Sequence, residues 1–171
     1  AAHWRATSAA LKARAEELEA VSELHILGPD TDLWVRVQGR TWVAADGRLN
    51  MPDGEVFTSP LEDSTRGEIR YTFPATFQGR EVEDVRLRFE GGRVVSAEAA
   101  RGAGYLKSVL ELDGADVLGE VAFGLNYEID RFTRNILFDE KIGGTMHLAL
   151  GASFPMTGGV NTAPIHWDMI C

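Results

Sequence analysis

Over residues 68–99, EIRYTFPATFQGREVEDVRLRFEGGRVVSAEA, apolar and charged side chains take turns along the chain. Val85, Leu87 and Phe89 occupy every second position, with Arg86, Arg88 and Glu90 between them. An extended chain points successive side chains to opposite faces, so this spacing dictates a strand with one dry and one wet face. Gln78-Gly79 and Gly91-Gly92 break the runs as turns. Roughly three or four strands are expected here, including a clean hairpin over DVRLRFEGGRVVSAEA.

The flanks add helices and further strands. Trp4 to Val21 is rich in helix formers and sets Leu11, Leu18 and Val21 on one face, which predicts an amphipathic helix. His25–Leu27 and Leu33–Val37 are apolar runs separated by Gly-Pro-Asp. In the second run Leu33, Val35 and Val37 alternate with Trp34, Arg36 and Gln38, the pattern of a half-buried strand. GRTWVAADGR reads as another strand closing on an Asp-Gly turn, and GYLKSVLEL (residues 104–112) as a short helix. GADVLGEVAFGLN leads into a strand, ILFDEKIGGTMHLALG gives a loop and then a strand, and Thr162 to Cys171 reads as a last strand. With no repeat, low-complexity tract or Pro/Ser linker, the expected fold class is α+β: a β-rich single unit with an N-terminal helix and a short internal helix.

A formal charge of −9, a pI near 4.9 and the lack of any Lys/Arg cluster argue against nucleic acid or an anionic membrane as partner. No apolar run approaches the ~20 residues of a membrane span. No secretory signal is visible, and the single cysteine, Cys171, cannot form an internal disulfide. Both features fit a cytoplasmic protein. The sequence opens without Met and stops just after HWDMI, inside an expected strand, so a piece of a longer polypeptide is expected.

Several polar side chains sit where their neighbours favour burial. In APIHWDMIC, His166 and Asp168 share one strand face while Ile165 and Trp167 share the other. Glu55 lies in MPDGEVFTSP, Glu120 in LGEVAFGLN and His147 in GGTMHLALG. Taken singly, each has a plain reading: a solvated turn acid, a strand-end acid, a hydrogen-bonded histidine, a surface ladder. Together they point elsewhere. A buried carboxylate is costly unless it is paired or bound to a cation, and Glu120 and Asp168 brought close would repel each other. A divalent cation removes that conflict, and a mixed carboxylate–imidazole set suits Zn, Co or Mn better than Ca or Mg. Five such residues exceed the three of a mononuclear catalytic zinc, so two metals sharing a carboxylate would use them economically.

MPDGEVFTSP, LGEVAFGLN, FDEKIGGTMHLALG and GGVNTAPIHWDMI, in this order, resemble the thermophilic-type metallo-aminopeptidases, the aminopeptidase T and aminopeptidase S-like family. ELHILGPDTDLWVRVQGRTW resembles the same family, so the likeness runs over nearly the whole chain. It implies a cytoplasmic, homodimeric exopeptidase that removes residues from peptides with a free N-terminus, using two divalent metal ions of the Zn, Co or Mg type. On that resemblance Glu55, Glu120, His147, His166 and Asp168 fall on the metal ligands, with Glu55 expected as the bridge. Residues 1–171 would form the metal-binding catalytic portion of a larger two-domain enzyme, without its N-terminal domain.

The remaining chemistry needs a base and an oxyanion donor. Glu140 in DEKIGG is the candidate general base and Lys141 the candidate oxyanion donor, although a solvated Glu-Lys turn would look the same. The tyrosine that the family places seven residues beyond the motif histidine corresponds here to Phe154, which can neither bind a metal nor donate a proton. Tyr105 and Tyr127 are the candidate substitutes. Two other functions compete. One is a non-catalytic fragment or pseudoenzyme that keeps the fold as an assembly or metal-binding module. The other is a metal-free hydrolase acting on sugars, with Glu55 and Glu120 as acid and base.

Overall fold

The computed structural model describes residues 2–48 and 50–171. In chain order it runs α1 (Ala2–Leu18), β1 (Glu23–Gly28), β2 (Thr31–Arg36), β3 (Val43–Ala45), β4 (Glu55–Thr58), β5 (Arg66–Tyr71), β6 (Ala75–Phe77) and β7 (Arg80–Val82). There follow β8 (Val85–Glu90), β9 (Arg93–Glu98), α2 (Ala103–Leu110), β10 (Leu118–Gly124), α3 (Ile136–Asp139), β11 (Met146–Gly151) and β12 (His166–Ile170).

The strands form two five-stranded antiparallel sheets, ordered β1-β2-β5-β8-β9 and β12-β11-β10-β4-β3, and a small β6-β7 hairpin. The alternation in β8 is realised residue by residue: Val85, Leu87 and Phe89 are buried while Arg86, Arg88 and Glu90 are exposed. Leu33, Val35 and Val37 are likewise buried. One continuous core takes Leu33, Ile69, Leu87 and Phe89 from the first sheet and Val56, Val121, Leu148, Leu150, Trp167 and Met169 from the second. Burial of these side chains contributes roughly 1.5–3 kcal/mol each and presses the two sheets together. The α+β, β-rich reading therefore describes the molecule. Among the described residues no helix is long and apolar enough to cross a membrane.

Three local expectations shift. The first helix ends at Leu18 rather than Val21, because Val21 N–H donates back to Leu18 O and the chain turns into β1. The stretch read as a loop before β11 contains the one-turn helix α3, which Asn135 caps by accepting from Leu137 N–H at 3.2 Å. The last strand starts at His166, since the residues before it follow a bend in which Ala152 N–H donates to Ile165 O.

Candidate metal centre

The second sheet presents two contrasting faces. Directly paired residues in antiparallel strands point to the same side. The register pairs Gly124 with Glu55, Ala122 with His147, Glu120 with Ala149, Ala149 with Asp168, and Gly151 with His166. Glu55, Glu120, His147, His166 and Asp168 thus all stand on the face turned away from the core. An irregularity between Leu118 and Glu120 sets the register at which Glu120 joins them. Ala122, Gly124, Ala149 and Gly151 occupy the positions between and leave the space these side chains fill. That spacing, Glu-x-Ala-x-Gly in β10 and His-x-Ala-x-Gly in β11, is a signal the sequence carries and the reading above passed over.

The loop leading into β4 is fixed by its backbone. Gly54 has φ +126, and a β-carbon there would lie 2.7 Å from Asn126 Cβ. Asn126 Nδ2 also donates to Asp53 O at 2.8 Å. Glycine is the residue that tolerates this conformation at so close an approach, and it delivers Glu55 to the first position of the strand.

Three carboxylates converge on the two imidazoles. Glu120 Oε2 lies 2.9 Å from His166 Nε2, and Glu120 Oε1 lies 3.5 Å from His147 Nε2. Glu55 Oε2 approaches His147 Nε2 at 3.2 Å, and Asp168 Oδ1 approaches His166 Nε2 at 3.3 Å. His166 Nδ1–H donates to Ala152 O at 2.8 Å, which turns Nε2 toward the carboxylates. Beneath them, Lys141 is fully buried; its Nζ donates to Glu55 Oε1 at 3.0 Å and to Glu140.

Three groups of donors fall within 4.8 Å of one another: Glu55, Glu120 and His147; Glu120, His166 and Asp168; and Glu140, His147 and Asp168. Glu120, rather than Glu55, is common to the first two. Glu55 Oε2, Asp168 Oδ1 and His147 Nδ1 are buried and make no hydrogen bond. Buried polar atoms are seldom left in that state unless another partner is meant for them.

The electrostatics show the same demand for positive charge. Burial alone would depress both imidazoles, but hydrogen bonds and charges from Glu120, Glu55 and Asp168 outweigh it and push His147 up to about 9. Burial is likewise overcome at His166, which Asp168 and Glu120 push up to about 11. Glu55 is raised to about 7, chiefly by burial. Burial would raise Glu120 too, yet the hydrogen bonds from His147 and His166 bring it below its ordinary value. Glu140 is raised, first by burial and then by the charge of Asp168.

A cleft of about 260 Å³ opens over this cluster. Glu55, Glu120, Glu140, His166 and Asp168 line it on the polar side, and Phe57, Phe154 and Met156 on the apolar side. The Phe154 ring stands 4.9 Å from the His166 ring and 5.1 Å from Phe57. Neither candidate tyrosine lines the cleft. Tyr105 donates its hydroxyl to Phe77 O at 3.0 Å and packs on Trp167, on the core side of the sheet. Tyr127 is 73% exposed, with its ring against Gly143.

A profile of the family described as thermophilic metalloprotease (M29) matches residues 1–171. The chain belongs to that family. It is 38% identical over 167 residues to aminopeptidase T of Thermus aquaticus, covering 90% of this chain and 41% of the relative. It is 33% identical over 144 residues to aminopeptidase AmpS of Bacillus subtilis, covering 77% of this chain and 35% of the relative. The solved structure of wild-type AmpT from Thermus thermophilus superposes with a TM-score of 0.84 at 31% identity, over 98% of this chain and 48% of that one. The chain therefore spans less than half the length of these family members. A 2,5-dihydroxypyridine dioxygenase from Pseudomonas putida shares the fold, with a TM-score of 0.76 at 18% identity.

Proposed function

We propose that this chain is the metal-binding portion of an aminopeptidase, a two-metal hydrolase that releases the first residue of peptides with a free N-terminus. The observation that carries the proposal is Glu120, whose carboxylate belongs both to the group with Glu55 and His147 and to the group with His166 and Asp168. Glu55, Glu120, Glu140 and Asp168 put four carboxylates around one lysine and two imidazoles, an acidic set that two divalent cations would neutralise once the imidazoles had given up their protons. Glu55 Oε2 and Asp168 Oδ1, which make no hydrogen bond and face only an imidazole Nε2 at 3.2 and 3.3 Å, fit the same role. Glu55, Glu120 and His147 would hold one ion, and Glu120, His166 and Asp168 the other, with Glu120 as the shared ligand. Zn, Co or Mg ions bound there would supply Lewis acidity and a water of lowered pKa.

The other residues act around that pair. Glu140 is partly buried, lines the cleft and has a raised proton affinity, which suits a general base that takes a proton and returns it to the leaving amine. Lys141, expected as the oxyanion donor, is instead fully buried with its ammonium held by Glu55 and Glu140 and does not line the cleft, so its role is to orient those two carboxylates from below. Ala152 O fixes the tautomer of His166. Phe57 and Phe154 form an apolar wall that limits water at the reacting bond. The homodimeric state and cytoplasmic location implied by the resemblance belong to the same reading.

A second reading, a metal-binding module without turnover, is favoured by Phe154 at the cleft wall. Dialysis against Co²⁺ or Zn²⁺, metal analysis and a leucine p-nitroanilide assay separate the two. About two ions per chain with turnover abolished by EDTA supports the aminopeptidase. The same metal content without turnover supports the module, and no bound metal rejects both. Activity that survives EDTA would instead point to Glu55 and Glu120 acting as a metal-free acid–base pair.

A further inference from the structure

Behind the cleft wall at Phe154 lie two buried hydroxyls. Phe154 is the cap residue of a single 3₁₀ turn, Pro155–Thr157, in the connection from β11 to β12. Cap positions favour Ser, Thr, Asp or Asn, whose side chains accept from the free amides of the first turn. Phenylalanine cannot, and its side chain instead faces His166 and Phe57. The turn is secured another way, by Ser59 and Thr157, both fully buried.

Phe154 N–H donates to Ser59 Oγ at 3.1 Å, Thr157 Oγ1 lies 2.7 Å from Phe154 O, and the two hydroxyl oxygens are 2.7 Å apart. A carbonyl oxygen only accepts, so Thr157 gives its one hydrogen to Phe154 O. The hydrogen of Ser59 then points at Thr157 Oγ1, and the Ser59 oxygen is left to take Phe154 N–H. Each hydroxyl donates once and accepts once, and the cycle closes on both backbone polar groups of Phe154. Ser59 follows directly on β4, the strand that opens with Glu55 and carries Phe57. Gly159 leaves room for the contact, since a β-carbon there would lie 2.7 Å from Ser59 Oγ. A second route joins the same turn to β4: Thr41 N–H donates to Thr157 O at 3.1 Å, and Thr58 Oγ1 donates to Thr41 O at 2.8 Å.

We propose that Ser59 and Thr157 are positioning residues of the reacting site: through the backbone of Phe154 they fix its phenyl ring beside His166 and tie that wall to the strand carrying Glu55. The consequence for turnover rests on the aminopeptidase reading, while the consequence for the phenyl ring does not. A hydroxyl pair serving the fold alone would act equally whatever side chain stood at position 154.

The test uses metal-loaded protein. Thr157→Val removes the hydroxyl at similar shape, Thr157→Ser keeps it, and Ser59→Ala opens the same cycle from the other side. kcat and KM are measured on leucine p-nitroanilide, and bound metal by elemental analysis. The phenyl ring is followed by fluorine NMR of protein labelled with para-fluorophenylalanine, in which the Phe154 resonance is the one that Phe154→Leu removes. Thr157→Val and Ser59→Ala should each lower kcat about tenfold at unchanged metal content and shift or broaden that resonance. Thr157→Ser should restore both. In a Phe154→Leu background, Thr157→Val should lower kcat by less than about twofold further, because the group it positions is gone. An unmoved Phe154 resonance in Thr157→Val and Ser59→Ala, a Thr157→Ser variant that falls as far as Thr157→Val, or a loss that persists in full without the phenyl ring overturns the proposal. If the parent turns over no p-nitroanilide, yet the resonance moves in Thr157→Val and returns in Thr157→Ser, the positioning stands and the peptidase reading fails.

Discussion

Glu120 reaches His166 Nε2 at 2.9 Å through one carboxylate oxygen, while the other oxygen faces His147 Nε2 at 3.5 Å. The two histidines come from adjacent antiparallel strands, β11 and β12, and Glu120 comes from β10 on the other side of β11. One acid on the third strand therefore ties both imidazoles together, with the small residues Ala149 and Gly151 leaving the gap it crosses.

That position makes Glu120 the most sensitive residue for metal uptake. Glu120→Gln should lower bound metal from about two ions per chain toward none, whereas Glu55→Gln should leave roughly one. Elemental analysis of the dialysed variants reads this directly. If Glu120→Gln kept its full metal content and rate, Glu120 would be an ordinary strand residue.

Lys141 balances charge inside the protein. Its ammonium is wholly buried against Glu55 and Glu140, and removing one partner of a buried pair leaves the other charge uncompensated. Lys141→Met should cost about 3–5 kcal/mol of stability in metal-free protein. Urea unfolding of the EDTA-treated variant measures it. A loss below about 1 kcal/mol would mean that Glu55 and Glu140 do not depend on this lysine.

Metal-free protein should lose stability as pH rises. The folded-state values of His147, about 9, and His166, about 11, lie above the ~6.5 of an unfolded histidine. The stabilisation from these imidazolium groups is complete below about pH 6.5 and is lost as pH climbs through the folded values. Glu55 acts in the same direction, because its carboxyl is raised to about 7 by burial. The melting temperature of EDTA-treated protein should fall between about pH 6 and 9, and a rise over that window would contradict the charge pattern described for the cluster. Added Zn²⁺ should stabilise more strongly toward the alkaline end, since its ligands must shed their protons first.

The amphipathic strands could be read in advance because each has one dry and one wet face, as Val85, Leu87 and Phe89 against Arg86, Arg88 and Glu90 illustrate. Trp167 was readable for the same reason, since it alternates with His166 and Asp168 and falls into the core. Two things were not readable from local pattern. The first is α3, a single turn created by the Asn135 cap and by the bonds between Asp139 and Thr133 rather than by any apolar period. The second is the meeting of Lys141 with Glu55, 86 residues apart, which depends on the order β11-β10-β4 and not on the neighbours of either residue. The place of Glu120 in both donor groups, with Glu55 and His147 and with His166 and Asp168, depends in the same way on the register of β10 against β11.

Phe154 offers the sharpest separation of enzyme from inert module. Its ring faces His166 at 4.9 Å on the wall of the cleft, and it follows His147 by the interval at which the resembled family carries a tyrosine. A hydroxyl at this wall could donate to the developing oxyanion, a contribution worth roughly 10²–10³ in kcat for a single donor. Phe154→Tyr should therefore raise kcat on leucine p-nitroanilide by at least about tenfold, with KM and bound metal little changed. The matching control is Phe154→Leu, which removes the ring without adding a donor and should give no such gain. If Phe154→Tyr and Phe154→Leu turn over equally, the wall contributes only its apolar surface and the oxyanion is met from elsewhere in the cleft. If Phe154→Tyr alone awakens activity in a metal-loaded but silent parent, the parent is a binding module and this one side chain separates it from a hydrolase.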